Sequence, residues 1–199
     1  MDKDLGSAVY LARILIAECL FPGGIAVDAT AGNGNDTLFL AREVGPAGRV
    51  YAFDIQAGAL TNTALLLKQS GQAGQVTLLQ AGHEEMERLV PGPVDAVMFN
   101  LGYLPGGDHG VITCPAATLK ALHSALHLLC PGGRVSLVVY RGHPGSREEY
   151  EAIERFAMEL DYNNFRAVKL NLLNRSDHAP VVVVIEKVKS VQNSGLNSF

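Results

Sequence analysis

Short apolar runs alternate with stretches of helical periodicity along almost the whole chain. The opening, "MDKDLGSAVYLARILIAECLF", is apolar but broken by Arg13 and Glu18, which predicts an amphipathic helix packed on the domain. "GGIAVDA" reads as a buried strand, and Asn35 to Val44 as a helix opening on Asp36 and Thr37. "RVYAFD" predicts a second strand, and "AGALTNTALLLKQSG" a helix stopped by Gly71. "QVTLLQ" is a third strand, "HEEMERLV" a short polar helix and "VDAVMFN" a fourth strand. After a glycine-rich loop come a helix from about Pro115 to Leu129, the strand "GRVSLVVY" and a helix near "SREEYEAIERFAMEL". Two late strands, "FRAVKLNLL" and "PVVVVIEKV", complete the pattern.

Strands that are apolar throughout and separated by helices predict a parallel sheet covered on both faces. The last two strands have only the loop "NRSDHA" between them, too short for a crossover, so they are expected to form an antiparallel hairpin. The expected fold is therefore α/β: a mostly parallel seven-stranded sheet with an antiparallel last strand and helices on both faces. No repeat or composition break divides it. Residues 1–189 are expected to form a single domain, and the polar "SVQNSGLNSF" (190–199) a disordered tail.

In such a sheet ligands bind at the carboxyl ends of the strands, near the point where strand order reverses. The stretch "DATAGNGNDT" falls there. Gly32 and Gly34 permit a tight turn and close approach of a ligand to the backbone. Asp54 ends the second strand about twenty residues on, where a carboxylate can accept both ribose hydroxyls, and Gln56 can reach the same nucleoside. A dinucleotide site calls for a third glycine beneath the pyrophosphate. Here Thr37 stands in that place and Asp36 stands at the helix start, where a pyrophosphate would be repelled. Asp28 adds a further carboxylate. This pattern favours S-adenosylmethionine, which has no phosphate and carries a sulfonium and an ammonium, over NAD. Asn33 and Asn35 can bond its methionine end. Asp36 is either part of this cluster or an ordinary helix cap. Gly82 and His83, after the third strand, are placed beside the adenine, with the imidazole stacking on it or else capping the helix at Glu84.

The loop "FNLGYLPGGDHG" (Phe99 to Gly110) follows the fourth strand and opens into the same cleft. Asn100 and Tyr103 have the N-x-x-Y spacing found in amino-methylating enzymes. A nitrogen lone pair must point at the methyl carbon in line with the departing sulfur, and acceptors on the amine fix that orientation. Uncharged acceptors also stabilise the ammonium that forms. Asp108 can take the amine proton or bind the cationic amine, with His109 a weaker candidate; the alternative is a Pro-Gly-Gly surface turn. Tyr140 and His143, in "YRGHPG", either line the substrate site or are structural, and Asn174 and Arg175 lie at the rim or in a plain hairpin turn.

Composition adjusts this picture modestly. With 48% hydrophobic and 18% charged residues the chain is globular, and its net charge of −4 argues against a general polyanion binder while permitting a local RNA-binding patch. Three separated cysteines show no disulfide framework or metal spacing. The opening segment lacks a basic n-region and is too interrupted to span a bilayer, so a cytoplasmic protein with no membrane or metal partner is expected.

Taken together, "VDATAGNGNDTLFLA", "YAFDIQ", "GHEEM", "FNLGYLPGGDH" and "VVYRGHPG" resemble the bacterial family labelled rRNA methylases, whose characterised members are the MnmM-type tRNA methyltransferases. The likeness runs from about Gly24 to Lys187. It implies a Rossmann-like class I methyltransferase fold, a homodimer, and methyl transfer to 5-aminomethyl-(2-thio)uridine at the wobble position in the tRNA anticodon region. It implies cofactor contacts at Asn33, Asn35, Asp54, Gln56 and His83, with Asn100, Tyr103 and Asp108 around the amine. One departure is "TCPAAT", where relatives carry a Lys-Pro-Glu-Thr-Thr-like segment. Read from the residues alone, the acceptor stays open between tRNA, an rRNA base and another amine.

Overall fold

The computed structural model describes residues 4–102, 115–142 and 145–189. Helix α1 (Ala8–Ala17) starts where the Ser7 hydroxyl accepts from the Tyr10 amide, a side-chain cap for an otherwise unpaired donor. Strand β1 (Ile25–Asp28), helix α2 (Asn35–Val44), β2 (Arg49–Asp54), α3 (Ala57–Gln69) and β3 (Val76–Gln80) follow. A 3₁₀ turn at His83–Glu85 leads into α4 (Met86–Leu89), then β4 (Val94–Leu101). The second half holds α5 (Pro115–Leu128), β5 (Leu129–Val139), α6 (Ser146–Met158), β6 (Phe165–Leu170) and β7 (Val181–Lys187).

The seven strands form one sheet in the order β3-β2-β1-β4-β5-β7-β6. β1 to β5 pair in parallel, while β7 runs antiparallel to both β5 and β6. The expected hairpin is therefore present, with the last strand inserted between its predecessor and β5. β5 begins at Leu129, earlier than the glycine pair suggested. Its pairing with β4 jumps from Val94↔Leu129 to Ala96↔Arg134, so the Cys130–Gly133 segment is accommodated as an irregularity within the strand.

Because successive side chains on a strand face opposite ways, each apolar strand feeds two cores. Val97, Phe99 and Leu101 of β4, Leu137 of β5 and Val183 of β7 pack with Leu122 of α5 and Ile153 of α6 on one face. Ala96, Met98, Val138 and Val182 pack with Ile16 of α1, Leu40 of α2 and Leu67 of α3 on the other. Strand order reverses at β1, which has β2 on one side and β4 on the other. The crevice at its carboxyl end is where a ligand is expected. Among the described residues no helix is long and apolar enough to cross a membrane.

Candidate active site

The carboxyl ends of β1, β2 and β4 bring Asp28, Asp54 and Asn100 around the β1–α2 loop. Gly34 ends that loop at φ 82, in the left-handed region, and serves as the N-cap residue of α2 without any side-chain cap bond. A Cβ placed there would lie 2.9 Å from Thr63 Cα, so α3 can approach the loop only if residue 34 has no side chain. The Thr63 hydroxyl donates to the Gly32 carbonyl at 3.0 Å, and the Asn62 amide donates to Asn33 Oδ1 at 3.3 Å. We expect Gly34→Ala to lose about 1–3 kcal/mol of stability through backbone strain and the α3 clash. Its S-adenosylhomocysteine affinity should fall in parallel, as thermal melts and calorimetry will measure.

Asp54 is half-buried and aims its carboxylate back over the loop. Oδ2 accepts from the Gly32 amide at 2.9 Å and Oδ1 from the Gln56 amide at 2.8 Å. Each oxygen has a second lone pair, so the group can still accept from a diol. Gln56 is the N-cap residue of α3 and Asn35 the first residue of α2, its side chain exposed like that of Asn33.

Asp28 and Asp36 lie beneath this surface. Asp28 is 1% exposed; its Oδ2 accepts from the Thr37 hydroxyl at 2.6 Å and its Oδ1 from the Thr30 amide at 3.1 Å. Thr37, in the place a dinucleotide site gives to glycine, thus ties α2 to β1. Burial, and secondarily the neighbouring Asp36 charge, push the Asp28 carboxyl up to about 7. A folded-state value above the unfolded one means that the native state binds more protons between about pH 4 and about 7. This contribution to stability is full below pH 4 and is lost as pH rises through 7. Asp28→Asn should remove it, so the stability difference between wild type and variant is expected to slope with pH across that window in urea titrations.

Asp36 does not cap α2. Its Oδ1 accepts from Arg13 Nε at 2.7 Å, with Arg13 Nη2 at 2.5 Å, and both side chains are nearly buried, 9% and 8% exposed. Its Oδ2 accepts from Asn100 Nδ2 at 3.3 Å. The Asn100 backbone N–H donates to the Thr30 hydroxyl at 2.8 Å. With Nδ2 committed to Asp36, Oδ1 is the acceptor that Asn100 has left to offer, and among the described residues no donor reaches it.

His83 neither caps the helix nor offers a face for stacking. The N-cap residue is Gly82, without a side-chain cap bond, and the imidazole is 8% exposed, edge-on to Phe99 at 5.7 Å. The 3₁₀ turn packs on α5, and Phe99 of β4 meets the ring on its inner side. Burial lowers its pKa, which favours the neutral ring; its Nδ1 lies 3.3 Å from the Ala29 carbonyl, which suits an Nδ1–H donor. Nε2 is then a buried acceptor with no partner among the described residues.

Tyr140 follows β5 and lies close enough to Asp36 to feel its charge. It is 38% exposed, and a Cβ added at Gly102 would touch its ring at 3.4 Å. Burial and the Asp36 charge raise its phenol pKa. Asn174 and Arg175 are exposed in the turn between β6 and β7, which Arg141 holds through bonds of 3.1 and 3.0 Å to the Ala179 carbonyl. Tyr103, Asp108, His109 and His143 lie outside the described residues. Thr118, at the end of "TCPAAT", is buried and donates to Glu149 at 2.7 Å. Among the described residues no group of three or more metal-ligating side chains converges.

Sequence reading missed Arg13, Thr30 and Thr37 as site-building residues. Thr30 and Thr37 sit inside the glycine stretch and were open to notice; Arg13 had no signal beyond a charge on an apolar helix.

The donor set fits S-adenosylmethionine: a carboxylate with spare lone pairs at the end of β2, a loop crossed by glycine, and an orphaned buried acceptor at His83. The family described as "Putative rRNA methylase" matches residues 50–186. The chain is 43% identical to an Arabidopsis thaliana chloroplastic tRNA (mnm(5)s(2)U34)-methyltransferase, over 90% of this chain and 69% of that one. A Clostridium thermocellum crystal structure described as a putative rRNA-methylase superposes with TM-score 0.89 at 41% identity, covering 92% of this chain and 98% of its own. A Streptococcus mutans structure described as a putative methyltransferase in complex with SAH gives TM-score 0.84 at 39% identity, with the same coverage.

Proposed function

The chain belongs to this rRNA methylase family of class I, S-adenosylmethionine-dependent methyltransferases, and from that premise we propose that it N-methylates 5-aminomethyl-(2-thio)uridine at the tRNA wobble position, giving the 5-methylaminomethyl form. The observation that carries this reading is Asn100, locked at the carboxyl edge of β4 by Thr30 and Asp36 with its oxygen left to accept. The 43% identity to a tRNA U34 methyltransferase supports the same substrate.

S-adenosylmethionine supplies an electrophilic methyl group when bound. Asp54 holds the ribose hydroxyls through the lone pairs that Gly32 and Gln56 leave open. Gly32, Gly34, Asn33 and Asn35 receive the methionine end, and Gly82 and His83 receive the adenine, with His83 Nε2 an acceptor for an amino group. Asp28 and Asp36 build the layer beneath them instead of touching the cofactor. Asn100 Oδ1 accepts an N–H of the substrate amine and so turns its lone pair into the cleft. Being uncharged, it welcomes the ammonium product without first trapping the amine as a cation. By their place in the sequence, Tyr103 packs on the target group and Asp108 takes the amine proton or binds the cationic amine.

The reading extends to binding of the tRNA anticodon region, a cytoplasmic location and a homodimer. The face formed by α6 and β6, with Met158 and Tyr162 80% and 79% exposed, supports the dimer; sedimentation equilibrium tests it. The substrate is tested by incubating the purified protein and S-adenosylmethionine with tRNA carrying the aminomethyl uridine, then digesting to nucleosides for mass spectrometry. Conversion to the methylaminomethyl nucleoside is expected. Methyl incorporation into rRNA alone would refute the assignment.

A further inference from the structure

Arg13 belongs to α1, outside every loop at the sheet's carboxyl edge. It is nevertheless buried, its guanidinium lies 5.3 Å from the centre of the Phe39 ring, and two of its nitrogens grip Asp36 Oδ1. Asp36 Oδ2 is thereby left to Asn100 Nδ2. We propose that Arg13 is a positioning residue for methyl transfer: acting through Asp36, it decides which way round the Asn100 amide sits. The inference rests on the proposed role of Asn100 Oδ1 as acceptor for the substrate amine.

A primary amide has nearly the same shape after a half-turn about its last bond, but the turn exchanges an acceptor for a donor. Sterics therefore cannot choose the orientation; hydrogen-bond partners must. The bond from the Asn100 backbone to Thr30 fixes the strand and leaves the side-chain amide undecided. An ionised carboxylate accepts only, so Asp36 requires the NH₂ group to face it and directs Oδ1 elsewhere.

That requirement lasts only while the Asp36 carboxylate stays turned toward Asn100. Asp36 is buried, and Asp28 is close enough that the Asp36 carboxylate helps raise the Asp28 pKa. Two carboxyls in one buried site repel each other, and a cation beside one of them holds it in place. Arg13 supplies that cation, with a planar fork on Oδ1 that no lysine reproduces in full. Without the guanidinium, Asp36 would lose the grip on Oδ1 that aims Oδ2 at Asn100. Asn100 Nδ2 would then lose its fixed partner, and the amide would be free to turn its NH₂ to the cleft, where a substrate amine needs an acceptor.

The test uses Arg13→Met, Arg13→Lys, Asn100→Ala and the Arg13→Met/Asn100→Ala pair. Arg13→Met is expected to lower kcat about 10- to 100-fold, the scale of a misplaced reacting group. KM for tRNA and calorimetric affinity for S-adenosylhomocysteine should stay near wild type, and Arg13→Lys should recover part of kcat. In the Asn100→Ala background, Arg13→Met should cost no further activity, because the group it acts through is gone. Independently of turnover, the side-chain NH₂ resonances of Asn100 in ¹⁵N-labelled protein should shift and exchange faster in Arg13→Met. They should shift less in Arg13→Lys, which serves as the readout if the methionine variant does not fold. A full additional loss in the double variant, or Asn100 resonances indifferent to residue 13, overturns the inference. Failure of the wild type to methylate tRNA would count against the proposed function, and the amide resonances would then decide the role of Arg13 by themselves.

Discussion

Asn100→Ala is expected to lower kcat for tRNA methylation by about a hundred- to a thousand-fold while leaving S-adenosylhomocysteine affinity within about twofold. The magnitude is that of removing one preorganised acceptor or donor aimed at developing charge. The insensitivity of cofactor binding follows from position. Asn100 is the penultimate residue of β4, whereas the groups assigned to the cofactor belong to the β1–α2 loop, the end of β2 and the turn after β3. Asn100→Asp should not rescue activity. It would place a third carboxyl beside Asp36 and Asp28, and a carboxylate at this point would hold the amine as an ammonium. An aliphatic amine of pKa about 10 must shed its proton before its lone pair can react. Single-turnover methylation with calorimetry on the same preparations checks both halves; an active Asn100→Ala enzyme would remove the acceptor from the mechanism.

The second large effect concerns stability. Asp36→Ala should destabilise the protein by about 3–5 kcal/mol, because it removes one partner of a buried ion pair. At this chain length that is a fall of about 10 °C in melting temperature. Removing both charges should be far milder. Arg13→Met/Asp36→Leu replaces an ion pair by apolar groups of similar bulk, an exchange that is often neutral or stabilising. The pair would restore the melting temperature and not the activity, since Asn100 would have lost its orienting partner. Urea and thermal denaturation of the three proteins separate the two contributions. If Asp36→Ala melts with the wild type, the ion pair is not a structural element.

The contrast between these residues shows how far the sequence could be read. Every strand of the sheet was legible, because an apolar run flanked by glycine and polar turns is a local signal. So was the crevice: a glycine pair between a strand and a helix, with Asp54 on the next strand, follows from the repeat of strand and helix. The spacing of its loop singled out Asn100, which the structure places near the carboxyl end of β4 beside Asp36. The insertion of β7 between β5 and β6 was not, since a short hairpin states that two strands pair and not on which side the second one lies. Nor was the early start of β5, where pairing with β4 extends the strand into a segment whose proline and glycines argue locally against it.

Asp36 and His83 mark the boundary most clearly. Local pattern left each of them able to cap a helix; the structure instead gives Asp36 to Arg13 and Asn100, and it sets His83 edge-on to Phe99 with Gly82 at the cap position. By itself the sequence determined the order of strands and helices, the glycine loop and the polar residues that end each strand, because these depend on periodicity and short-range turn chemistry. Only the tertiary structure decided which buried charge answers which. Those partners are 23 and 64 residues apart and meet because α1, α2 and β4 contribute to one core on the same face of the sheet, a coincidence in space that leaves no periodic trace along the chain.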